Sequence, residues 1–239
     1  MILTMPFTTA ALRFFRELAR HNDKPWFEAH RADYEREVRD PMRALIAEMD
    51  AHLARFAPEI AGDPLRSMFR IYRDTRFSRD KSPYKTHAAC WFNHRAADHR
   101  VGSEAEGGSA GFYFHLASRA SFVGAGMWMP PRPTLDRLRD AIADKPKLFE
   151  RIVRNPRVVR RFGGLDDEAV LKRMPRGWAE DHPAARWLKY RSFTIGRRLP
   201  DAQVTSPRLP AVLESDFRLL LPLVRWINGA LGLQAAGRR

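Results

Sequence analysis

Between residues 68 and 129 the sequence carries four strand-like runs with no helical pattern between them. Residues 68–73 alternate, with Phe69 and Ile71 on one side and Arg70 and Tyr72 on the other. Residues 88–93 read as a second strand. Residues 111–117 read as a third, opposing Phe112 and Phe114 to Tyr113 and His115, and residues 121–129 as a fourth after a turn at Ser118-Arg119-Ala120. A parallel pair needs a crossover of a dozen or more residues, usually a helix. Consecutive strands without one predict an antiparallel sheet and place the chain in the α+β class.

Helical periodicity flanks this sheet. Thr8 can cap a first helix, with Phe7 and Leu12 as a staple and Ala11, Phe14, Phe15 and Leu18 completing its apolar face. His21-Asn22-Asp23 breaks it, and Asn22 or Asp23 can cap a second helix carrying Phe27, His30, Tyr34 and Val38. Pro41 should interrupt that helix, with Asp40 ready to cap a third built on Met42, Leu45, Ile46, Met49, Leu53 and Phe56. Residues 58–64 are turn-rich, and the glycine-rich stretch 95–110 reads as an exposed loop. Helices are expected at 134–143 and from Pro146, the region closing at Gly163-Gly164. Residues 166–174 fit either a short helix or a strand. Asp181 is placed to cap a helix at 183–188, residues 191–199 suit an edge strand, and the last helical region follows Ser206-Pro207. Its stripe is Phe217, Leu220, Leu221, Val224, Ile227 and Leu231, with a kink expected near Pro222 and fraying at 234–239. The expectation is one domain over residues 1–239: a mainly antiparallel sheet (66–129) packed with N-terminal (1–57), middle and C-terminal helices (134–231).

With 239 residues, 44% of them apolar, the chain can bury a sizeable core. No window approaches the roughly 18 apolar residues that span a bilayer, and the start, MILTMPFTTAALRFF, lacks the basic region and apolar run of a signal peptide. Cys90 is the one cysteine, so neither an internal disulfide nor a Cys-based zinc site can form; it is expected in the core. These features predict a cytoplasmic protein with no membrane partner.

The formal net charge of +14 is unevenly spread. Residues 66–87 hold seven basic side chains against Asp74 and Asp80, a net +5; residues 171–198 hold eight against Glu180 and Asp181, a net +6. Focused positive potential of this kind suits phosphorylated ligands or nucleic acid. Arginine forks match phosphate and carboxylate geometry. Arg70, Arg73, Arg76, Lys81 and Lys85 can therefore form an anion cradle, with Ser78 and Tyr84 as neutral donors and His87 as an orienting group. Lys172, Arg173 and Arg176 of the second stretch are added candidates, Arg176 lying beside Trp178 as a stacking pair. The opposing reading pairs Asp74 and Asp80 with these arginines and makes the loop purely structural.

Catalytic signals are sparser. Asp74, His87 and His115 are the candidates for acid–base work. Histidine and carboxylate spacings match no metal motif, so no metal site is expected, and neither GxxxxGK[ST], GxSxG nor HExxH occurs. Gly124-Ala125-Gly126 lies inside a strand pattern and reads as a bulge or close backbone approach. No cofactor or oligomeric state is indicated.

The run Tyr72-Arg73-Asp74-Thr75-Arg76-Phe77-Ser78-Arg79-Asp80-Lys81-Ser82-Pro83-Tyr84-Lys85-Thr86-His87 has a specific resemblance. It joins with Asn22, Lys24, Trp26, Phe27, His30, Arg31 and Tyr34, with Gly111, Tyr113, Gly124, Gly126, Trp128 and Pro130, and with Leu171-Lys172-Arg173, Pro175-Arg176-Gly177, His182-Pro183 and Leu188-Lys189. Together these residues resemble a bacterial and fungal family known as domain of unknown function 2461, with residues 95–110 longer than is usual there. The resemblance implies a single domain of this length and brings no activity, substrate or cofactor with it. Its N-terminal pattern puts Trp26, His30 and Asp33 toward one side of a helix and Phe27, Arg31 and Tyr34 toward another, which predicts that His30 or Arg31 touches the basic loop. The function expected from all this is binding of a phosphorylated small molecule or nucleotide in an Arg/Lys-lined pocket, with or without catalysis. The alternatives are a nucleic-acid-binding module on the same surface and a basic loop that is only structural.

Overall fold

The structure, a computed structural model, describes residues 7–97 and 108–235. Most of the glycine-rich stretch and the end of the tail lie outside the described residues. Helix α1 (Thr9–Arg20) starts as its sequence dictates: Thr8 Oγ1 accepts from the Ala10 amide at 3.1 Å and donates to Glu37 at 3.0 Å. Asp23 caps α2 (Lys24–Ala29) through the Trp26 amide, 2.9 Å away, with Pro25 in the first turn where no helical donor is lost.

The expected break at Pro41 does not occur. The helical course breaks instead at His30, resumes as α3 (Arg31–Tyr34), widens into a π turn (Glu35–Arg39) and passes directly into α4 (Asp40–Phe56). Asp40 is helical and its carboxylate takes Arg39 Nε at 2.9 Å, so it caps nothing. A proline ring clashes with the carbonyl four residues back in a regular helix; the wider π turn immediately upstream accommodates it.

Five strands follow in the order β1-β2-β3-β4-β5, antiparallel throughout. They are β1 (Ile60–Ala61), β2 (Ala88–His94), β3 (Gly111–Leu116), β4 (Phe122–Met127) and, after the middle helices, β5 (Phe193–Arg198) at the edge. Strand β1 falls within the stretch read as turn; two residues are too few for period-2 alternation to show. Residues 68–73 do not form one strand. Phe69 donates to Ala89 and Ser67 accepts from Trp91, after which the chain folds on itself, with Arg73 donating to Pro83 and Lys85 to Ile71.

The middle helices are α5 (Arg132–Asp144), α6 (Pro146–Val153) and α7 (Pro156–Phe162), the last ended by Gly163 at φ 88. Residues 166–174 are irregular, neither helix nor regular strand: Val170 bridges Tyr190, and Leu171 donates to Lys189. Asp181 does not cap α8 (Ala185–Leu188); His182 Nδ1 accepts the Ala184 amide at 3.0 Å instead. After α9 (Asp201–Val204), α10 (Leu209–Ala230) runs 22 residues with Pro222 inside it. Gln234, which was expected to fray, accepts from His94 Nε2 at 2.9 Å.

One sheet face is the core. Phe92, Phe112, Phe114, Val123 and Ile195 are buried on it, and Phe217 of α10 stacks on Phe112 with ring centres 4.3 Å apart. Phe7 of the α1 lead-in stacks on Phe114. Cys90 is fully buried there. The other face carries Trp91, Tyr113, His115 and Phe122 in mutual ring contact. Gly126 is a close approach, as expected: at φ 121, a Cβ would lie 1.9 Å from the Phe193 carbonyl oxygen. No helix among the described residues is long and apolar enough to cross a membrane.

Candidate functional site

Within the loop 66–87 each of the two carboxylates takes one arginine, Arg76 on Asp74 and Arg73 on Asp80. Arg76 forks onto Asp74 with contacts of 3.0 and 2.7 Å, and its amide donates to the same carboxylate. Arg73 pairs with Asp80 and reaches Ser78 Oγ at 3.5 Å. Asp80 also accepts from the Ser82 amide and hydroxyl, at 2.9 and 2.5 Å. The Arg76 side chain and amide pull the Asp74 carboxyl down to about 2. Ser82, then Arg73, holds that of Asp80 lower still. Both ammonium groups go to backbone carbonyls: Lys81 to Thr75 at 2.9 Å, and Lys85 to Arg70 at 3.0 Å while lying over the Phe69 ring. Tyr84 is buried and stacks on Phe27 at 4.1 Å, so it is a core residue and not an exposed donor.

The loop also grips the N-terminal helices. Asn22 holds both backbone groups of Tyr84, and Tyr72 lies beside Arg31, helping Glu28 keep that guanidinium charged. The expected contact between Arg31 and the loop is thus present, although Arg31 belongs to α3, past the break at His30, and not to the helix that carries Trp26 and Phe27.

The remaining expected residues do not join this cluster. Lys172, Arg173 and Arg176 are exposed on the irregular segment before α8. Among the described residues, no hydrogen bond or ion pair links them to the loop. His87 and His115 meet on the outer sheet face with ring centres 4.2 Å apart, and His115 Nδ1 lies 3.1 Å from the Tyr113 hydroxyl. Burial first, then Lys85, lowers His87 to about 4; burial first, then His87, lowers His115 to about 3. Both are neutral imidazoles at pH 7. Among the described residues no cluster of His, Cys, Asp and Glu is arranged to hold a metal ion.

Open cationic space lies elsewhere, along the exposed side of α1. A cavity of about 500 Å³ is lined by Arg13, Arg16, Glu17, Arg20, Ser118 and Arg119. Four guanidinium groups face one carboxylate there, and Glu17 is already engaged by Arg20 at 3.0 Å. Arg13, Arg16 and Arg119 make no ion pair among the described residues. Ser118 Oγ is buried with no hydrogen-bond partner among them. Arg119 sits in the β3–β4 turn at φ 59, a left-handed conformation that costs a non-glycine residue roughly 1–2 kcal/mol. Its amide is held by Asp201 at 2.9 Å.

Arg13 and Glu17 also border a second cavity of about 270 Å³. Its walls include Trp26 and His30, stacked at 4.1 Å and backed by Phe14, together with Asp33 and Glu37. This is the opposite side of the N-terminal pattern from the one that meets the loop. The arginine row at i, i+3 and i+7 of α1 is visible in the sequence beside the apolar stripe of that helix. Arg119, about a hundred residues away, completes the set through the fold alone.

The chain matches the family model described as conserved hypothetical protein (DUF2461) over residues 10–226. No curated protein and no solved structure matches it.

Proposed function

The chain belongs to the DUF2461 family of conserved hypothetical proteins, and from its own geometry we propose that it binds a phosphorylated small molecule in the cavity between α1 and the β3–β4 turn. The observation that carries this reading is the meeting of Arg13, Arg16, Arg20 and Arg119 around one space with a single, already engaged carboxylate. Charge-assisted bonds from guanidinium groups to phosphate are about twice as strong as neutral ones. Unpaired like charges held together repel one another, and an anion relieves that repulsion.

The basic loop takes the structural role in this reading. Its forks are directed at Asp74 and Asp80, and its outer contacts are Asn22, Phe27 and Arg31. It fixes α2, whose Trp26 borders the second cavity.

Thermal shift with pyrophosphate and sugar phosphates tests the assignment, because a ligand of the folded state raises the melting temperature. Arg16→Ala with Arg119→Ala should abolish the shift, and Arg73→Ala with Arg76→Ala should leave its ligand dependence intact. The reverse pattern would return the anion site to the loop. A single-stranded oligonucleotide that binds with a steep salt dependence, when small phosphates do not, would favour the nucleic-acid reading.

A further inference from the structure

We infer that the phosphorylated ligand is a nucleotide, its base seated in the smaller cavity and its phosphates in the arginine-lined one. This rests on the phosphate reading above and adds to it the chemistry of the adjoining space.

The two cavities are neighbours along one helix. Arg13 and Glu17, one turn apart on α1, border both. The lining residues run from Ala10 to Arg20, about 15 Å of helix at 1.5 Å per residue. That length suits a molecule with a charged end and a planar end.

The planar end has its own chemistry. Trp26 and His30 lie nearly parallel, 18° between planes, and His21 is stacked on the indole at 15°. His30 Nδ1 is bonded to the Trp26 carbonyl at 2.8 Å, so the imidazole is fixed in plane and not free to swing. Trp26 and His30 are half-buried and His21 is exposed, and all three line the cavity. Every base has a π-face, and base–aromatic stacking contributes about 1–3 kcal/mol per base.

Asp33 and Glu37 line the same space together with Arg36, which contacts both. Each already takes one contact from Arg36, and Glu37 a second from Thr8, but an ionised carboxylate offers about four lone-pair sites. Those free positions accept hydrogen bonds, not phosphate. They suit the N–H groups of a purine edge, and with Arg36 already engaged by both carboxylates they disfavour a phosphate placed there. The charge pattern therefore orients the ligand: phosphates toward Arg16, Arg20 and Arg119, base toward Trp26 and His30, with Arg13 between.

Isothermal titration of the wild-type protein with GTP, ATP and inorganic tripolyphosphate tests the base seat without any variant. At least one nucleotide should bind about tenfold or more tighter than tripolyphosphate. Trp26→Ala should erase that preference and leave tripolyphosphate binding unchanged; if that variant does not fold, His30→Ala serves the same purpose from the cavity wall. Tripolyphosphate binding as tightly as both nucleotides overturns the base seat and leaves the phosphate site standing. If none of the three binds, both readings fall. If an oligonucleotide alone binds, the ligand is a nucleic acid strand and the mononucleotide inference is wrong.

Discussion

The side-chain amide of Asn22 pairs with the backbone of Tyr84 as a neighbouring strand would: Nδ2 donates to the Tyr84 carbonyl at 2.9 Å, and Oδ1 accepts the Tyr84 amide at 3.0 Å. The two residues are 62 positions apart, and Tyr84 is buried against Phe27 of the same helical hairpin. Replacing Asn22 by Ala removes both bonds and leaves two backbone groups without partners, at about 1–3 kcal/mol for each that stays buried. The expected outcome for Asn22→Ala is a loss of roughly 2–4 kcal/mol in urea unfolding, with faster amide exchange at 72–85. Asn22→Asp should be at least as damaging, because its carboxylate cannot donate to the carbonyl.

Asp216 of α10 is fully buried between Arg161 of α7 and Arg197 of β5, with contacts of 2.6 and 2.7 Å. Arg197 pairs with Val123 in the sheet and so faces the helix layer; Asp216 is what allows a guanidinium there. Removing one partner of a buried pair costs about 3–5 kcal/mol, because the other charge stays buried alone. Asp216→Ala should therefore lower stability by that amount, and replacing Arg161, the more exposed partner, should cost less. Comparable losses from Arg161→Ala and Asp216→Ala in denaturant melts would contradict this ranking.

What the sequence disclosed follows from how far each signal reaches. Strands β2 to β4 were legible because Phe112, Phe114 and Val123 alternate with Tyr113, His115 and Phe122 at a period that only a half-buried sheet imposes. The closing of the basic loop was not, since Asp74 and Asp80 at i−2 and i+7 of Arg76 and Arg73 can face inward or outward with equal local ease. Only the return of 83–85 onto 71–73, anchored by Asn22, brings Asp80 back to Arg73, and both carboxylates stay exposed. The arginine cavity depends on a contact between α1 and a turn about a hundred residues later, which no local period encodes.

His87 and His115 predict an acid-sensitive stability. Both are neutral in the fold, lowered from 6.5 to about 4 and about 3, while the unfolded chain protonates them near 6.5. Below 6.5 the unfolded state binds more protons, so stability is complete above that pH and falls as the pH drops toward 4. With partial exposure discounted, the loss is on the order of 2 kcal/mol per imidazole. Asp74 and Asp80 lose their contribution only below about 3.8, so they do not blur this window. Urea melts at pH 7 and pH 4.5 should show the decline in the wild type. His87→Gln combined with His115→Gln, which keeps an amide near the Tyr113 hydroxyl, should flatten it.

Arg119 should trade stability against binding. Its backbone occupies the left-handed region at φ 59, which glycine adopts at no steric cost, and its amide bond to Asp201 does not involve the side chain. Relief of roughly 1–2 kcal/mol of strain is partly offset by the greater entropy that glycine gives the unfolded chain. Arg119→Gly is thus expected to fold as well as the wild type or better, by up to about 1 kcal/mol, while pyrophosphate binding weakens by about tenfold from the loss of a charge-assisted contact. Arg119→Ala keeps the strain and loses the side chain, so it should match the glycine variant in binding and fall below it in stability. If Arg119→Gly were less stable than Arg119→Ala, the turn would not be strained; if both bound pyrophosphate like the wild type, the side chain would have no part in the anion site.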